Sequence, residues 1–143
     1  MAVKYKEVKT INEFIDAVLL RYDVFVREQG FKPGWEPDEE DKVSRQFIAV
    51  SDGKVVATAR YRESPKGQIK IERVAVKRQQ RKRGIGEGLL RFMVARIRKL
   101  ELGRIWLRSQ LEQQPFYEKC GFTSVYKPYD KYGVPHIDME YSK

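Results

Sequence analysis

Residues 71–90 (IERVAVKRQQRKRGIGEGLL) constrain the fold of this chain more than any other segment. The segment opens as an apolar-rich strand, continues as a loop in which five of seven residues are basic, and ends as a helix. Glycines at positions 84, 86 and 88 open this helix, where backbone can approach a ligand closely. A helix N-terminus offers unpaired N–H groups and the positive end of the helix dipole, which together suit a phosphate. The segment therefore predicts a strand, a loop and a helix that bind a phosphorylated anion.

The two most familiar phosphate-binding patterns do not fit this segment. A P-loop needs Lys-Ser or Lys-Thr after its last glycine, and a dinucleotide-binding turn needs GxGxxG directly after a strand. Residues 81–86 (RKRGIG) instead fit the pattern [RQ]xxGx[GA], behind a strand that ends at residues 74–76. This hexapeptide resembles motif A of the GNAT superfamily of acyl-CoA N-acyltransferases. In that family, the amides of motif A hold the pyrophosphate of coenzyme A.

Residues 109–122 carry a second resemblance to the same family. Ser109 ends a predicted strand and Gln110 follows it, and PFYEKCGF at residues 115–122 is similar to the FYeKxGF helix that follows this strand in the family. Residues 24–30, the acidic loop 31–42 and residues 133–137 further resemble the ElaA-like (YjcF-like) branch. The resemblance covers nearly the whole chain. It implies one GNAT N-acetyltransferase domain over residues 1–143.

The resemblance implies acetyl-CoA as the cosubstrate and no metal. The acetyl group would pass directly from the thioester to a small-molecule or peptide amine, and the sequence leaves the acceptor and longer acyl donors open. The residues that the resemblance assigns to cofactor binding are Val74, Ala75, Val76, Arg81, Lys82, Arg83, Gly84, Ile85, Gly86 and Glu87.

Direct transfer requires the amine to lose a proton and the departing thiolate to gain one. Tyr117 matches the family's general acid, and main-chain amides near Val74 would polarise the thioester carbonyl in the manner of an oxyanion hole. The general base is left open among Glu72, Glu28, His136 and a water relay. His136 is the single histidine, and histidine has an ordinary pKa near the required range.

The composition bounds the class of protein. A length of 143 residues with 41% hydrophobic and 12% aromatic residues predicts a globular domain with a real core. The single cysteine, Cys120, excludes an intrachain disulfide, disfavours a multi-cysteine metal site and is predicted to pack. The start of the chain lacks an apolar signal region, and no run approaches the ~18 apolar residues of a membrane span. The sequence therefore predicts a cytoplasmic protein without a membrane partner.

The net charge of +9 keeps a second class of function in view. Nucleic acid could bind the basic loop 77–83 and the basic positions 91, 96, 98 and 99 of the following helix, but no known nucleic-acid motif is present and this partner is disfavoured. A third alternative is a GNAT fold that binds acyl-CoA without catalysis. The acidic residues of loop 31–42 could attract a cationic amine, and a homodimer is left open.

The remaining segments predict the order of strands and helices. Residues 3–8 alternate as a strand, and Thr10 with Glu13 gives the capping-box spacing of a helix that Gly30 ends. Apolar residues at positions 11, 14, 15, 18, 19, 22, 25 and 26 predict the core-facing side of this helix. Residues 31–42 predict an exposed loop in which Trp35 packs and does not contact substrate.

Three strands follow this loop, with a hairpin turn at Asp52 and Gly53. A helix over residues 84–102 then places Leu89, Met93 and Leu100 on one apolar face, and a strand, a short helix and a terminal hairpin complete the chain. The predicted fold class is α/β (α+β): a GNAT-like mixed, largely antiparallel central sheet flanked by helices.

Overall fold

The computed structural model of the chain describes residues 2–142, which form one seven-stranded sheet flanked by helices. The strands are β1 (Val3–Glu7), β2 (Arg45–Ser51), β3 (Lys54–Glu63), β4 (Ile69–Val76), β5 (Ile105–Gln110), β6 (Phe122–Lys131) and β7 (Val134–Tyr141). Their order across the sheet is β1-β2-β3-β4-β5-β7-β6, and every neighbouring pair is antiparallel except β4 with β5. This mixed, largely antiparallel sheet confirms the predicted fold class.

The α-helices of the described residues are α1 (Ile11–Arg21), α2 (Ile85–Arg98) and α3 (Gln114–Lys119). The predicted capping box begins α1: the Thr10 hydroxyl accepts the Glu13 N–H at 3.1 Å, and the Glu13 carboxylate accepts the Thr10 N–H at 3.2 Å. A π-helical segment, Tyr22–Glu28, continues α1, so one α-helix does not run to Gly30 as predicted. Within residues 2–142, every helix is too short or too polar to span a bilayer.

The main core lies between α2 and the sheet. Leu89, Leu90, Met93 and Ile97 are buried at helical spacing against side chains of β2, β3, β4 and β5. Full burial of a side chain of this size stabilises the fold by about 1.5–3 kcal/mol. The prediction that Leu100 shares this face is wrong, because α2 ends at Arg98 and leaves Leu100 47% exposed.

The predicted core face of α1 is correct only in part: Phe14, Val18 and Phe25 are partly buried, but three other positions are exposed. Ile11, Ile15 and Leu19 are 70%, 47% and 59% exposed, respectively. The helix packs against β3 and β4 through a different stripe, which includes a charged residue and was therefore missed by apolar periodicity. The buried positions of α1 and the π-helical segment are Ala17, Leu20, Arg21 and Val24.

The acidic segment before β2 is only partly the exposed loop that its composition predicts. Glu36 is buried, and Asp38 and Asp41 are partly buried. Of the acidic side chains in this segment, those of Glu39 and Glu40 are exposed. The carboxylates of Glu36, Asp38 and Asp41 point inward because Arg21 and Arg60 are buried, and a buried arginine needs a carboxylate partner. Part of the acidic run thus neutralises buried cations, and the attraction of a cationic acceptor stays a prediction.

The buried arginine of α1 illustrates this internal neutralisation. Arg21 is fully buried and pairs with Glu36 and, through two N–H groups at 2.9 and 2.8 Å, with Asp41. Burial alone would raise the pKa of Asp41, but the hydrogen bonds and charge of Arg21, with help from Arg60, bring it well below its ordinary value. The segment from Glu36 to β2 is therefore fixed to α1 and β3 by charge.

Candidate active site

Strands β4 and β5 separate before either strand ends. Their parallel pairing covers only residues 69–71 of β4 and 105–107 of β5. Residues 72–76 and 108–110 continue on the two sides of an opening, which we call the β4–β5 split. Main-chain groups of β4 that face the split lack a strand partner there, and such groups can bind an extended ligand.

A β-bulge in β4 lies where the split begins. Thr58 of β3 pairs with Ala75 and Arg60 pairs with Glu72, so two residues of β4 oppose the single residue between these partners. One of the two, Arg73, has a φ of +56°, a conformation that residues with side chains rarely adopt. A bulge bends its strand, which accounts for the separation of β4 from β5.

The N-terminus of α2 lies beside the end of β4. Gly84 occupies the N-cap with a φ of +78°, and a Cβ added there would meet nothing within 4 Å. The Gly88 N–H donates to the Gly84 carbonyl at 2.9 Å. The amides of Ile85, Gly86 and Glu87 precede this bond and have no helical acceptor, so they can bind an anion.

Gly86 and Gly88 serve packing, a role that the sequence did not reveal. A Cβ at Gly86 would lie 3.1 Å from both the Phe116 ring and a Val76 methyl group. A Cβ at Gly88 would lie 2.1 Å from the Tyr5 hydroxyl oxygen. The first turn of α2 therefore contacts β1, β4 and α3 directly, and of the three glycines Gly84 alone borders open space.

Alanine at Gly84 and alanine at Gly88 should therefore differ in their effect on the affinity for coenzyme A. Gly84→Ala adds backbone strain of about 1–2 kcal/mol and a methyl group in the open space, so affinity for coenzyme A should fall in a folded protein. Gly88→Ala overlaps Tyr5, so the thermal midpoint should fall while the folded variant keeps its affinity. Calorimetric titration and thermal denaturation of both variants test this, and an unchanged affinity in Gly84→Ala would contradict a phosphate site here.

The guanidinium of Arg81 is engaged by protein groups. Two of its N–H groups donate to the Glu28 carboxylate at 2.5 and 2.8 Å, and its Nε donates to the Val76 carbonyl at 3.0 Å. Hydrogen bonds from Arg81 lower the pKa of Glu28, which therefore is a poor acceptor for an amine proton. Lys82 and Arg83 are exposed on the same loop.

Tyr117 lies on α3, next to Phe116, whose ring borders Gly86 and Val76. The Tyr117 ring makes edge contacts with the rings of Phe116 and Phe122, with centroids 5.0 and 6.3 Å away. Burial raises the pKa of Tyr117, so its hydroxyl keeps its proton at neutral pH.

Cys120 follows Tyr117 by one helical turn and is buried. Burial raises the pKa of the Cys120 thiol to about 11. A thiol in that state is a weak nucleophile, because only the thiolate attacks efficiently. Its burial among the core residues agrees with the predicted packing role.

Glu72 lies at the bulge but is surrounded by cations. Its carboxylate is 3.0 Å from the Lys70 ammonium and accepts hydrogen bonds from Arg62 at 2.9 and 3.0 Å and from Arg60 at 3.0 Å. Burial would raise the pKa of Glu72, but hydrogen bonds from Arg62 and the charges of Lys70 and Arg60 outweigh it and lower the pKa to about 2. This environment makes Glu72 an ion-pair partner and does not suit a general base.

Gln29, which follows the π-helical segment, and Gln110, the last residue of β5, meet across the split. Gln110 donates from its amide nitrogen to the Gln29 side-chain oxygen at 2.8 Å, and it pairs in the sheet with His136. The His136 ring is buried, with Nδ1 2.8 Å from the Val134 carbonyl oxygen. Since Glu28 binds Arg81, residues 28 and 29 contact both sides of the split, and sequence periodicity carries no signal for this bridge.

These features define a fold that can bind an extended anionic ligand: two parallel strands that separate beside the free amides of a helix start. The chain belongs to the GNAT acetyltransferase family, because the model of the acetyltransferase (GNAT) domain matches residues 22–143. Among residues 2–142, no three histidine, cysteine or acidic side chains are grouped in a way that could hold a metal ion.

Individual relatives agree with this assignment. A UPF0039 protein of Schizosaccharomyces pombe is 34% identical, with 95% of this chain and 92% of the relative covered. The uncharacterized N-acetyltransferase YjcF of Bacillus subtilis is 28% identical over 92% of this chain and 94% of its own. The crystal structure of Escherichia coli ElaA superimposes with a TM-score of 0.87 at 25% identity, covering 99% of this chain and 100% of that one. The predicted resemblance to GNAT acetyltransferases, with ElaA and YjcF among the relatives, is confirmed.

Proposed function

We propose that this protein transfers an acetyl group from acetyl-CoA directly to an amine. The observation that carries the proposal is the convergence of Val76, Gly86 and Phe116 beside the β4–β5 split. It joins the end of β4, the anion-binding end of α2 and the helix of Tyr117 in one place. The thioester would thus lie within reach of all three elements when the pyrophosphate occupies the start of α2.

In the proposed reaction, a neutral amine attacks the thioester carbonyl and a C–N bond forms. Main-chain amides of residues 74–76 stabilise the developing oxyanion, and the C–S bond breaks as the tetrahedral intermediate collapses. The Tyr117 hydroxyl gives its proton to the departing thiolate sulfur. The amine proton passes through a base or water, from which Tyr117 is reprotonated after product leaves.

For the base we favour His136, directly or through water. Glu72 and Glu28 are each held by arginines and have lowered pKa values. The His136 Nδ1 lies near a carbonyl oxygen, which only accepts, so Nδ1 carries the proton and Nε2 is left as an acceptor. The acceptor is proposed to be a small-molecule or peptide amine. The cytoplasmic location and a homodimer stay predictions.

Acetyl-CoA should bind with a modest dependence on the 3′-phosphate. Because Arg81 is engaged, Lys77, Arg78 and Lys82 are left as candidates for this group, and exposed ion pairs contribute about 0.2–1 kcal/mol each. One or two such pairs give a preference of roughly 2–30-fold for coenzyme A over dephospho-coenzyme A. Calorimetry at two salt concentrations measures the affinities for the two ligands. The Lys77→Gln/Arg78→Gln variant should show a smaller ratio between them than the wild-type protein.

A DNA duplex serves as the competitor in the same titration. The duplex should displace neither ligand, since nucleic-acid binding would instead fall steeply with salt across several phosphate contacts. Tight, salt-sensitive duplex binding without a coenzyme A preference would assign the basic loop to nucleic acid. No binding of acetyl-CoA at millimolar concentration would contradict the proposed enzyme.

A further inference from the structure

Arg73 holds a backbone conformation that its residue type disfavours. Its φ of +56° lies in the left-handed region, where the Cβ of an L-residue is crowded. Strained conformations of this kind persist only where the surrounding contacts over-determine them. Arg73 also sits in the β4 bulge, at the beginning of the β4–β5 split.

Three contacts from residues 35–38 hold the Arg73 side chain. Its Nε donates to the Glu36 carboxylate at 2.8 Å, and its Nη2 donates to the Asp38 carboxylate at 2.9 Å. The guanidinium lies over the Trp35 ring, 5.2 Å from the centroid. Phe31 stacks on Trp35 with a centroid distance of 4.7 Å. Charge-assisted bonds and ring stacking thus fix the guanidinium in one place.

One of these carboxylates, that of Asp38, is also bound by a second arginine. Asp38 accepts a hydrogen bond from Arg60 at 2.6 Å, and the fully buried Arg60 also donates to Glu72 at 3.0 Å. Glu72 directly precedes Arg73 in the chain. Both residues at the start of the bulge are therefore fixed by one network of charges on the α1 side of the sheet.

We propose that residues 35–38 act as a clamp on Arg73, which fixes the β4 bulge and so aims the Val74 amide at the thioester carbonyl. This inference rests on the proposed acetyl transfer. Arg73 contacts no substrate in it and is a positioning residue. The acidic segment, which composition assigned to the surface, thereby has a role in the reaction without meeting the acceptor.

The test compares Arg73→Ala with Arg73→Gly. Calorimetry should give an acetyl-CoA affinity close to that of the wild-type protein, because the pyrophosphate site on α2 is untouched. The kcat of Arg73→Ala should fall on the order of 10²-fold, the effect of misplacing a group by about 1 Å. Arg73→Gly should recover part of this loss, since glycine adopts a positive φ without a clamp.

Infrared difference spectra of bound acetyl-CoA, labelled with ¹³C at the thioester carbonyl, provide a readout that needs no acceptor. Wild-type protein should lower the carbonyl stretch below that of free acetyl-CoA, and Arg73→Ala should lose most of this shift. Asp38→Asn should lose part of the shift. Glu39→Gln should keep it whole, because Glu39 is exposed and, among residues 2–142, its ion pair is with exposed Lys42 at 3.1 Å.

The outcomes separate the clamp from the proposed function. If Arg73→Ala keeps the full carbonyl shift and the wild-type kcat, the clamp is wrong while acetyl transfer stands. The clamp is equally wrong if Asp38→Asn and Glu39→Gln give the same carbonyl shift. This second comparison tests the clamp even if Arg73→Ala does not fold. If the wild-type protein does not bind acetyl-CoA, the proposed function is wrong and the clamp falls with it.

Discussion

Tyr117→Phe should lower kcat by about 10²–10⁴-fold with little change in the affinity for acetyl-CoA. The substitution removes one oxygen and keeps the ring, so the edge contacts with Phe116 and Phe122 persist and the fold should be retained. The hydroxyl matters only when the thiolate leaves, and an interaction made only in the transition state changes kcat and not binding. Steady-state kinetics with the best amine of a panel and calorimetry with acetyl-CoA measure the two quantities.

Tyr126→Phe is the matched control for this experiment. Tyr126 is 89% exposed on β6, so loss of its hydroxyl should leave kcat unchanged. Equal kcat values for wild type and Tyr117→Phe across the pH range would assign Tyr117 to packing. Normal acetyl-CoA binding by the wild-type protein with no transfer to any amine would instead favour a GNAT domain that binds acyl-CoA without catalysis.

Local patterns predicted most of the fold because the relevant interactions lie close together in the sequence. The capping box at Thr10 needs only a residue three positions ahead, and it is present as predicted. The turn between β2 and β3 has positive φ at both Asp52 and Gly53, as a two-residue hairpin requires. The apolar stripe of α2 faces the core because its period matches the helix.

The errors arose where burial depended on charges distant in the sequence. Arg21 is buried only because Glu36 and Asp41 come to it, and periodicity counts arginine as a surface residue. Apolar periodicity therefore places the buried face of α1 too far towards Ile11, Ile15 and Leu19. A charged residue at a position that would otherwise be buried, followed by an unusually acidic segment, was the signal that could have revealed the pairing.

The same distinction applies to the candidate active site. The motif of residues 81–86 indicated where the free amides lie, because amides at a helix start depend only on local structure. The motif did not show why each glycine is needed. A side chain at Gly86 would contact Phe116 and one at Gly88 would overlap Tyr5, and both neighbours are distant in the sequence. Likewise, the bulge at Arg73 depends on pairing with β3 and on contacts with Glu36 and Asp38.

Glu72→Gln should lower the free energy of unfolding at neutral pH by about 3 kcal/mol, with the fold otherwise retained. The folded pKa of Glu72 is about 2, against an ordinary value of 4.5. Each pKa unit corresponds to about 1.4 kcal/mol of stabilisation of the charged form by folding. Glutamine keeps the shape of the side chain but removes the negative charge that Arg60, Arg62 and Lys70 share, which is the costly way to break a buried ion pair.

The pH dependence of this difference tests its cause. A carboxyl group with a lowered folded pKa stabilises the protein fully above its unfolded pKa, and this contribution is lost as the pH falls through the folded pKa. Urea unfolding of wild type and Glu72→Gln should therefore differ by the full amount above about pH 4.5 and converge towards pH 2. Burial raises the pKa of Glu36, which acts in the opposite sense, so only the difference between the two proteins isolates Glu72.

Glu39→Gln is the control for this experiment, because the exposed ion pair of Glu39 with Lys42 should contribute less than about 1 kcal/mol at any pH. A difference between wild type and Glu72→Gln that stays constant from pH 7 to pH 2 would contradict charge as its source and point to altered packing. Convergence would instead show that Glu72 is ionised throughout the neutral range and tied to Arg60, Arg62 and Lys70. A carboxylate held in that way cannot accept the amine proton without a large loss of stability, which leaves the role of base to His136 or to water.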